Sequence, residues 1–350
     1  MKKALFLAAL TSLAMTSCTS DEVISSPEGA PIGFDSFVGK TTRATDASIE
    51  SLKQITVYGY IGDATPAKIF DGEDIEFKNN KWEYSPVQYW TAGKNYFFTA
   101  VSSPLLNTQG SSHFTFAWTP DNQLPIETTN YYGQGTISFN NASDGGSAGN
   151  EDVVYAYATK ITPSPLTTTP GIVGFAFKHA LSRVQFTFKN AMGSDAYTIK
   201  VHDLTINNAA ATGTLALGSE KPTWKQAGST SLELRKAYFK PTTQEADNGK
   251  SVVSGTKFII PGINTLNITF SVDLIVNGST LATYTHSAKA LPETTFVNGH
   301  SYNFVADITP KNIDPAQDMF PIEFNVTSVE DWKTETDITV TLPEHNTSNP

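Results

Sequence analysis

Along most of the chain apolar residues alternate with polar ones at a period of two, and no stretch repeats at helical spacing over three turns. Ile55 and Val57 open the pattern. Trp82 and Tyr84 follow the Asn79-Asn80 turn, and Tyr89-Trp90 leads through Gly93 into Tyr96, Phe98 and Ala100. Further strands are predicted at 114–118, 137–139 and 153–157, separated by Gly-, Asn- and Asp-rich turns. About seven short strands suit an antiparallel sandwich. Pro163, Pro165 and Pro170 then break the pattern, as an interdomain connection would.

Beyond that break the apolar phase is odd at Phe175, Phe177 and Leu181 but even from Val184 through Phe186 and Phe188. A one-residue slip turns every side chain to the other face, so a bulge or a crossing between sheets is expected near Ser182. Later strands are predicted at 197–206, 257–260, 266–276, 281–284, 301–308 and 320–326. Two outlying segments repeat the alternation weakly. Ile32, Phe34 and Val38 carry it in a Ser-, Thr-, Pro- and Gly-rich stretch, and Ile338, Val340 and Leu342 carry it in a polar tail. A short strand with one apolar face needs a sheet to pair with, in its own domain or in another subunit.

Length agrees with this partition, since 350 residues suit two domains. The organisation expected is a signal segment 1–17, a tether 18–48, β-sandwich domains at 49–165 and 170–332, and a tail 333–350. With 24 Lys and Arg against 34 Asp and Glu, the net charge of −10 gives no basic surface for nucleic acid. The single cysteine, Cys18, excludes a disulfide framework and a four-cysteine zinc site. It ends a run that starts with Lys2-Lys3, continues apolar from Ala4 to Met15, and closes on Thr16-Ser17. This resembles a bacterial lipobox with Met15 where Leu is usual, in which Cys18 becomes the lipidated first residue, anchored to the outer membrane by acyl chains.

Candidate chemistry is sparse. No phosphate loop or nucleophile elbow is present, and the six histidines lack metal-ligand spacing, so no catalytic residue, metal or cofactor is assigned. His202-Asp203 and His300-Ser301 are neighbours of triad type, but triads are defined by geometry. His179 reads as a core or bulge histidine. Asp71-Gly-Glu-Asp74 and Asp144-Gly-Gly resemble fragments of calcium loops without EF-hand spacing. Trp82, Tyr84, Tyr89 and Trp90 read as strand core or sandwich edge before they read as a sugar-stacking platform.

Taken together, Cys18, the Thr-Thr-Arg43-Ala44 segment, Tyr89-Trp90 with Tyr96-Phe-Phe-Thr-Ala100, Phe177-Lys-His179-Ala-Leu-Ser-Arg183-Val, Asn298-Gly299-His-Ser-Tyr302-Asn-Phe304 and Val329-Glu-Asp-Trp332 resemble the fimbrillin family of Bacteroidales surface lipoproteins. The resemblance implies an all-β fold of two transthyretin-like or Ig-like antiparallel β-sandwich domains in tandem. It further implies that an Arg-specific protease cuts between Arg43 and Ala44 and that the strand carrying Ile32, Phe34 and Val38 is then lost. A donor strand from the next fimbrial subunit would fill the groove left behind, pairing subunits head to tail into a filament. The tail with Ile338, Val340 and Leu342 is the candidate donor; its 18 residues extend to about 60 Å at strand rise. The resulting reading is a non-enzymatic, cell-surface fimbrial subunit that acts in adhesion to a host or bacterial ligand. The rival reading is a glycan-binding surface lipoprotein with Trp82, Trp90 or Trp118 as stacking platforms. A β-sandwich hydrolase has no motif behind it, although a carboxylate pair is a three-dimensional feature that sequence does not reveal.

Overall fold

The computed structural model describes residues 30–38, 52–62, 67–79, 81–102, 113–118, 131–141, 152–161, 172–234, 239–240, 244–313 and 324–331. Within them the strands are β1 (Gly33–Val38), β2 (Gln54–Ile61), β3 (Ala67–Lys78), β4 (Lys81–Glu83), β5 (Asn95–Ser102), β6 (Phe114–Ala117), β7 (Thr136–Asn140) and β8 (Val154–Ile161). They continue as β9 (Ile172–His179), β10 (Ser182–Asn190), β11 (Thr198–Ala216), β12 (Trp224–Leu234), β13 (Phe239–Lys240), β14 (Glu245–Ala246) and β15 (Ser251–Ser254). The last are β16 (Lys257–Ile259), β17 (Gly262–Asn264), β18 (Asn267–Val276), β19 (Ser279–Ala290), β20 (Thr294–Phe296), β21 (His300–Ile308) and β22 (Asn325–Asp331). A four-residue helix, α1 (Pro310–Ile313), follows β21. The protein is all-β.

The first sheet has the order β1-β9-β8-β5-β2-β3-β4. Its centre is β5, buried along both faces: Tyr96, Phe98 and Ala100 pack into one core with Ile55, Val57, Phe70 and Phe175, while Val101 joins a second core on the other side. Gly59, opposite Phe98 in the ladder, lacks the side chain that would block this packing, since a Cβ there would lie 2.8 Å from the Phe98 ring. Strand β3 is not anticipated from the sequence. Its charged residues occupy the strand next to the sheet's end, where Asp74 accepts a 2.7 Å hydrogen bond from Thr56 and Lys68 pairs with Asp71 at 3.0 Å. The calcium-loop-like Asp71 to Asp74 segment is therefore strand.

The phase slip near Ser182 is a crossing between sheets. Val173, Phe175 and Phe177 of β9 face the first core; two residues later β10 begins in a different sheet, where Val184, Phe186 and Phe188 face a new core. Ala180 and Leu181 make the transfer, held by hydrogen bonds from Ala180 N to Val153 O, Gly299 N to Leu181 O and Trp224 Nε1 to Ala180 O (2.8, 2.9 and 2.7 Å).

The second sheet runs β13-β15-β10-β21-β22 with β16 beside β10; the third runs β19-β18-β11-β7-β6 with β12 and β14 also on β11. Between them Phe186, Phe188, Phe270, Phe304 and Phe324 form an aromatic centre. β11 is the spine of the third sheet. Its first part pairs with β18, and its last five residues pair with β7. Strands from the two halves therefore interlock: β6 and β7, from 49–165, lie in a sheet with β11, whereas β9, from 170–332, lies in the first sheet. Two pairings, β1 with β9 and β10 with β21, are parallel rather than antiparallel. The strand expected at 320–326 begins at Asn325; Phe324 is buried in the core, and 320–323 lie outside the described residues.

Two measurements test this packing. Asn190 is fully buried, donates through Nδ2 to Tyr197 O and Ala246 O, and accepts from Met192 N. Asn190→Ala leaves these backbone groups without their partner and is expected to cost about 2–4 kcal/mol in urea unfolding. His286, buried and stacked on Phe270 at 5.0 Å, has its pKa pushed down to about 4 by burial, with Lys289 adding repulsion. Protonation thus favours the unfolded chain, where the imidazole titrates near 6.5. The contribution of neutral His286 to stability is complete above pH 6.5 and is lost as pH falls towards 4. Over that window the urea midpoint of wild type should fall more steeply than that of His286→Phe.

Candidate functional site

The residues that the alternation singles out near the N-terminus occupy a defined slot. Ile32 and Phe34 are almost fully buried, at 2% and 5% exposure, in the core of the first sheet. Phe34 stacks on Phe175 at 5.6 Å and meets Phe70, Tyr84 and Phe98 edge-on at 5.4, 5.7 and 5.9 Å. It is therefore enclosed by rings from four other segments. The backbone of β1 runs parallel to β9, with Gly33 opposite Ile172 and Val38 opposite Phe177.

On its other side the strand is held by the segment after β4. Ile32 N donates to Gln88 O at 2.9 Å, Trp90 N donates to Ala30 O at 3.0 Å, and Pro31 bridges Tyr89. The start of β1 thus lies between β9, its neighbour in the sheet, and the chain leaving the opposite end of that sheet. Tyr84 fastens the arrangement, because its hydroxyl donates to Ile32 O at 2.8 Å and accepts from Gln88 N at 3.2 Å. Burial pushes the Tyr84 phenol up to about 12, so it stays protonated as a donor.

Removing β1 would uncover an apolar slot and the backbone groups of β9 that face it. Unpaired strand edges of this kind accept another extended chain. Of the residues expected to work with this slot, Ile32 and Phe34 sit in it, and Val38 contributes backbone pairing. Cys18, Arg43, Ala44, Ile338, Val340 and Leu342 lie outside the described residues. Tyr84 and Phe175 were legible as core residues, but nothing in their local sequence ties them to a strand so distant along the chain.

The alternative chemistry meets specific obstacles. Trp90 is fully buried against Tyr96, while Trp82 and Tyr84 pack against the first core, so these rings do not form an exposed sugar platform. Trp118 is half-buried, stacked on Tyr60 and covered by Lys68. His202 bonds to Asp203 through Nδ1 and to Asp273 through Nε2, and the nearby Thr283 hydroxyl donates to Asp273 instead of to the imidazole. That geometry offers no activated nucleophile. His179 is buried and paired with Asp152 at 2.8 Å, a structural contact at the crossing between sheets. Among the described residues no group of three His, Cys, Asp or Glu side chains is placed to hold a metal ion.

A family model described as fimbrillin-like matches residues 42–332. Among solved structures, a fimbrial protein from Bacteroides vulgatus is similar at a TM-score of 0.57 and 16% identity, covering 87% of this chain and 99% of its own. A candidate cell adhesion protein from Bacteroides ovatus is similar at 0.50 and 14% identity, covering 88% and 99%. At these identities the likeness is one of fold. No curated protein matches the sequence.

Phe34→Ala should destabilise the protein by about 3–4 kcal/mol, the cost of an emptied aromatic site. Hydrogen exchange should show the loss first at the amides of β1 and β9, with those of β21 and β18 protected as in wild type. Uniform loss across both halves would mean that β1 holds the whole molecule together.

Proposed function

Because the chain belongs to the fimbrillin-like family, we propose that it is a structural subunit of a surface fimbria, exported as a lipid-anchored precursor and assembled by exchange of β1 for a donor strand. The observation that carries the reading is the position of β1: an edge strand, joined to its sheet by a parallel ladder, with two buried side chains and an arginine a few residues further on. Cys18 supplies the anchor and Arg43-Ala44 the site for an Arg-specific protease. Cutting there leaves Ile32, Phe34 and Val38 on a short fragment held only by non-covalent contacts.

Such a fragment can leave and be replaced. Six residues of strand bury little area, and once the covalent link is cut their affinity no longer benefits from high effective concentration. The incoming donor is the tail with Ile338, Val340 and Leu342, whose period-two pattern can offer apolar side chains to the pockets of Ile32 and Phe34 while its backbone pairs with β9. Because donor and acceptor lie on different parts of the chain, each addition leaves a new free end, so growth is head to tail and open. The partners are other fimbrial subunits, the protease, the outer membrane through the lipid, and a ligand on a host or bacterial surface.

The test treats the mature protein with a limiting amount of Arg-specific protease and follows N-terminal sequence and particle size together. The expected result is a new terminus at Ala44 and SDS-resistant oligomers. Arg43→Ala should abolish both changes, while deletion of 337–350 should permit cleavage but stop growth. Cleavage of wild type without growth would reject self-polymerisation through this tail.

A further inference from the structure

Beside the crossing from β9 to β10 the molecule has a second concavity, a cleft of about 590 Å³ between the end of β9 and the segments 220–224 and 295–300. Its volume falls within the range of small-ligand sites. Of its lining only Phe177 also belongs to the first core, which holds β1, whereas Lys178 turns to the opposite face of the sheet, where its ammonium donates to Tyr157.

Three features mark it as a built site. The first is Tyr155, which lines the cleft at only 3% exposure, yet its hydroxyl makes no hydrogen bond among the described residues. The hydroxyl is not among the sealed polar atoms of the core, so it keeps access to the cleft and is open to a ligand or water there. Burial holds it protonated, so it presents a donor. The second is charge. In a chain of net charge −10, the cleft carries Lys178 and Lys221 against Glu220 alone, and neither lysine has a carboxylate partner among the described residues. Lys178 is positioned rather than free, with its ammonium 2.9 Å from the Tyr157 hydroxyl and over that ring at 4.8 Å. The third is the wall formed by Trp224, half-buried and fixed by its bond to Ala180 O, next to the amide of Asn298, which spends Nδ2 on Pro222 O.

We propose that this cleft binds an acidic sugar, a uronic or sialic acid residue of a surface glycan, as a ligand site separate from the assembly groove. A sugar ring has a flat C–H face to lie on Trp224 and hydroxyls to donate to Asn298 and Glu220. Its carboxylate can take charge-assisted hydrogen bonds from Lys178 or Lys221 and one from the Tyr155 hydroxyl. A neutral sugar leaves the lysines unanswered, and a basic ligand meets them with repulsion.

Titration of the unprocessed mature protein with glucuronic acid, N-acetylneuraminic acid and glucose, followed by saturation-transfer NMR and Trp fluorescence, tests this directly. Glucose is the matched control, differing from glucuronic acid in the carboxylate. The acidic sugars should bind about tenfold or more tightly than glucose, and the preference should shrink with salt. Tyr155→Phe should weaken glucuronic acid binding about five- to tenfold while leaving the melting temperature nearly unchanged, because it removes a hydroxyl that makes no hydrogen bond to the described residues and creates no void. Lys178→Met should reduce the preference for acid over glucose. Absence of binding at millimolar sugar, equal binding of glucose and glucuronic acid, or an unaltered Tyr155→Phe variant would overturn the proposal. So would displacement of the sugar by a peptide of residues 333–350, which would make the cleft a seat for the tail.

Discussion

One change of sheet, made across Ala180 and Leu181, organises the molecule. Before it, β9 commits Val173, Phe175 and Phe177 to the first core; after it, β10 commits Val184, Phe186 and Phe188 to the second. A strand with period two can serve two cores only by slipping one residue, and the slip exposes backbone groups that must find partners. Val153, Gly299 and Trp224 supply them. The buried pair of His179 and Asp152 sits at the same point. The same crossing sets the parallel partners: β9 takes β1, and β10 takes β21.

The ladder between β1 and β9 differs in kind from the others in the first sheet. An antiparallel neighbour reached by a short turn is held by its connection as well as by its hydrogen bonds. A parallel neighbour is held by contacts alone once the chain between them is opened. The side chains of Ile32 and Phe34 then carry the stability of the edge, and burial worth a few kcal/mol per side chain is enough to keep a short strand in place yet small enough for a better-matched strand to replace it. A central strand such as β5, buried on both faces, could not play that role without dissolving two cores together.

How far the sequence discloses this depends on whether a residue's partners are near it in the chain. β10 and β21 were legible because their alternation marks the core face. β2 and β5 were legible because Ile55, Val57, Tyr96, Phe98 and Ala100 mark one core, although Phe97 and Val101 bury the other face of β5 as well. β3 was not, because Asp71, Glu73 and Asp74 mask the alternation on a strand whose outward face meets water. β11 reads as a short strand at 197–206, but its run to Ala216 through Asn207, Asn208 and several alanines is sustained by pairing with β12 and β7, which its own side chains do not announce. The same limit applies to function. The alternation of Ile32 and Phe34 declares an apolar face, whereas the four rings around Phe34 come from positions 70, 84, 98 and 175 and become one pocket only when the sheet curls. Tyr155 looks like any inward residue of β8, and only the fold reveals that its hydroxyl has no partner.

The two-faced character of β9 also bears on how assembly and ligand binding relate. Phe175 looks towards the slot of β1, Lys178 lines the cleft, and Phe177 belongs to both, so a single strand serves both places. Replacing β1 by another strand changes the partners of the backbone edge of β9 but leaves the residues on its far face in register, because the ladders from β9 to β8 and from β8 to β5 are untouched. Coupling between two sites requires an element with two arrangements that both ligands sense. Here the element between them is a strand anchored at its end by the crossing. The proposed strand exchange and the proposed ligand site therefore meet at one side chain, Phe177, and are otherwise carried by different residues, which limits the route by which either would sense the other.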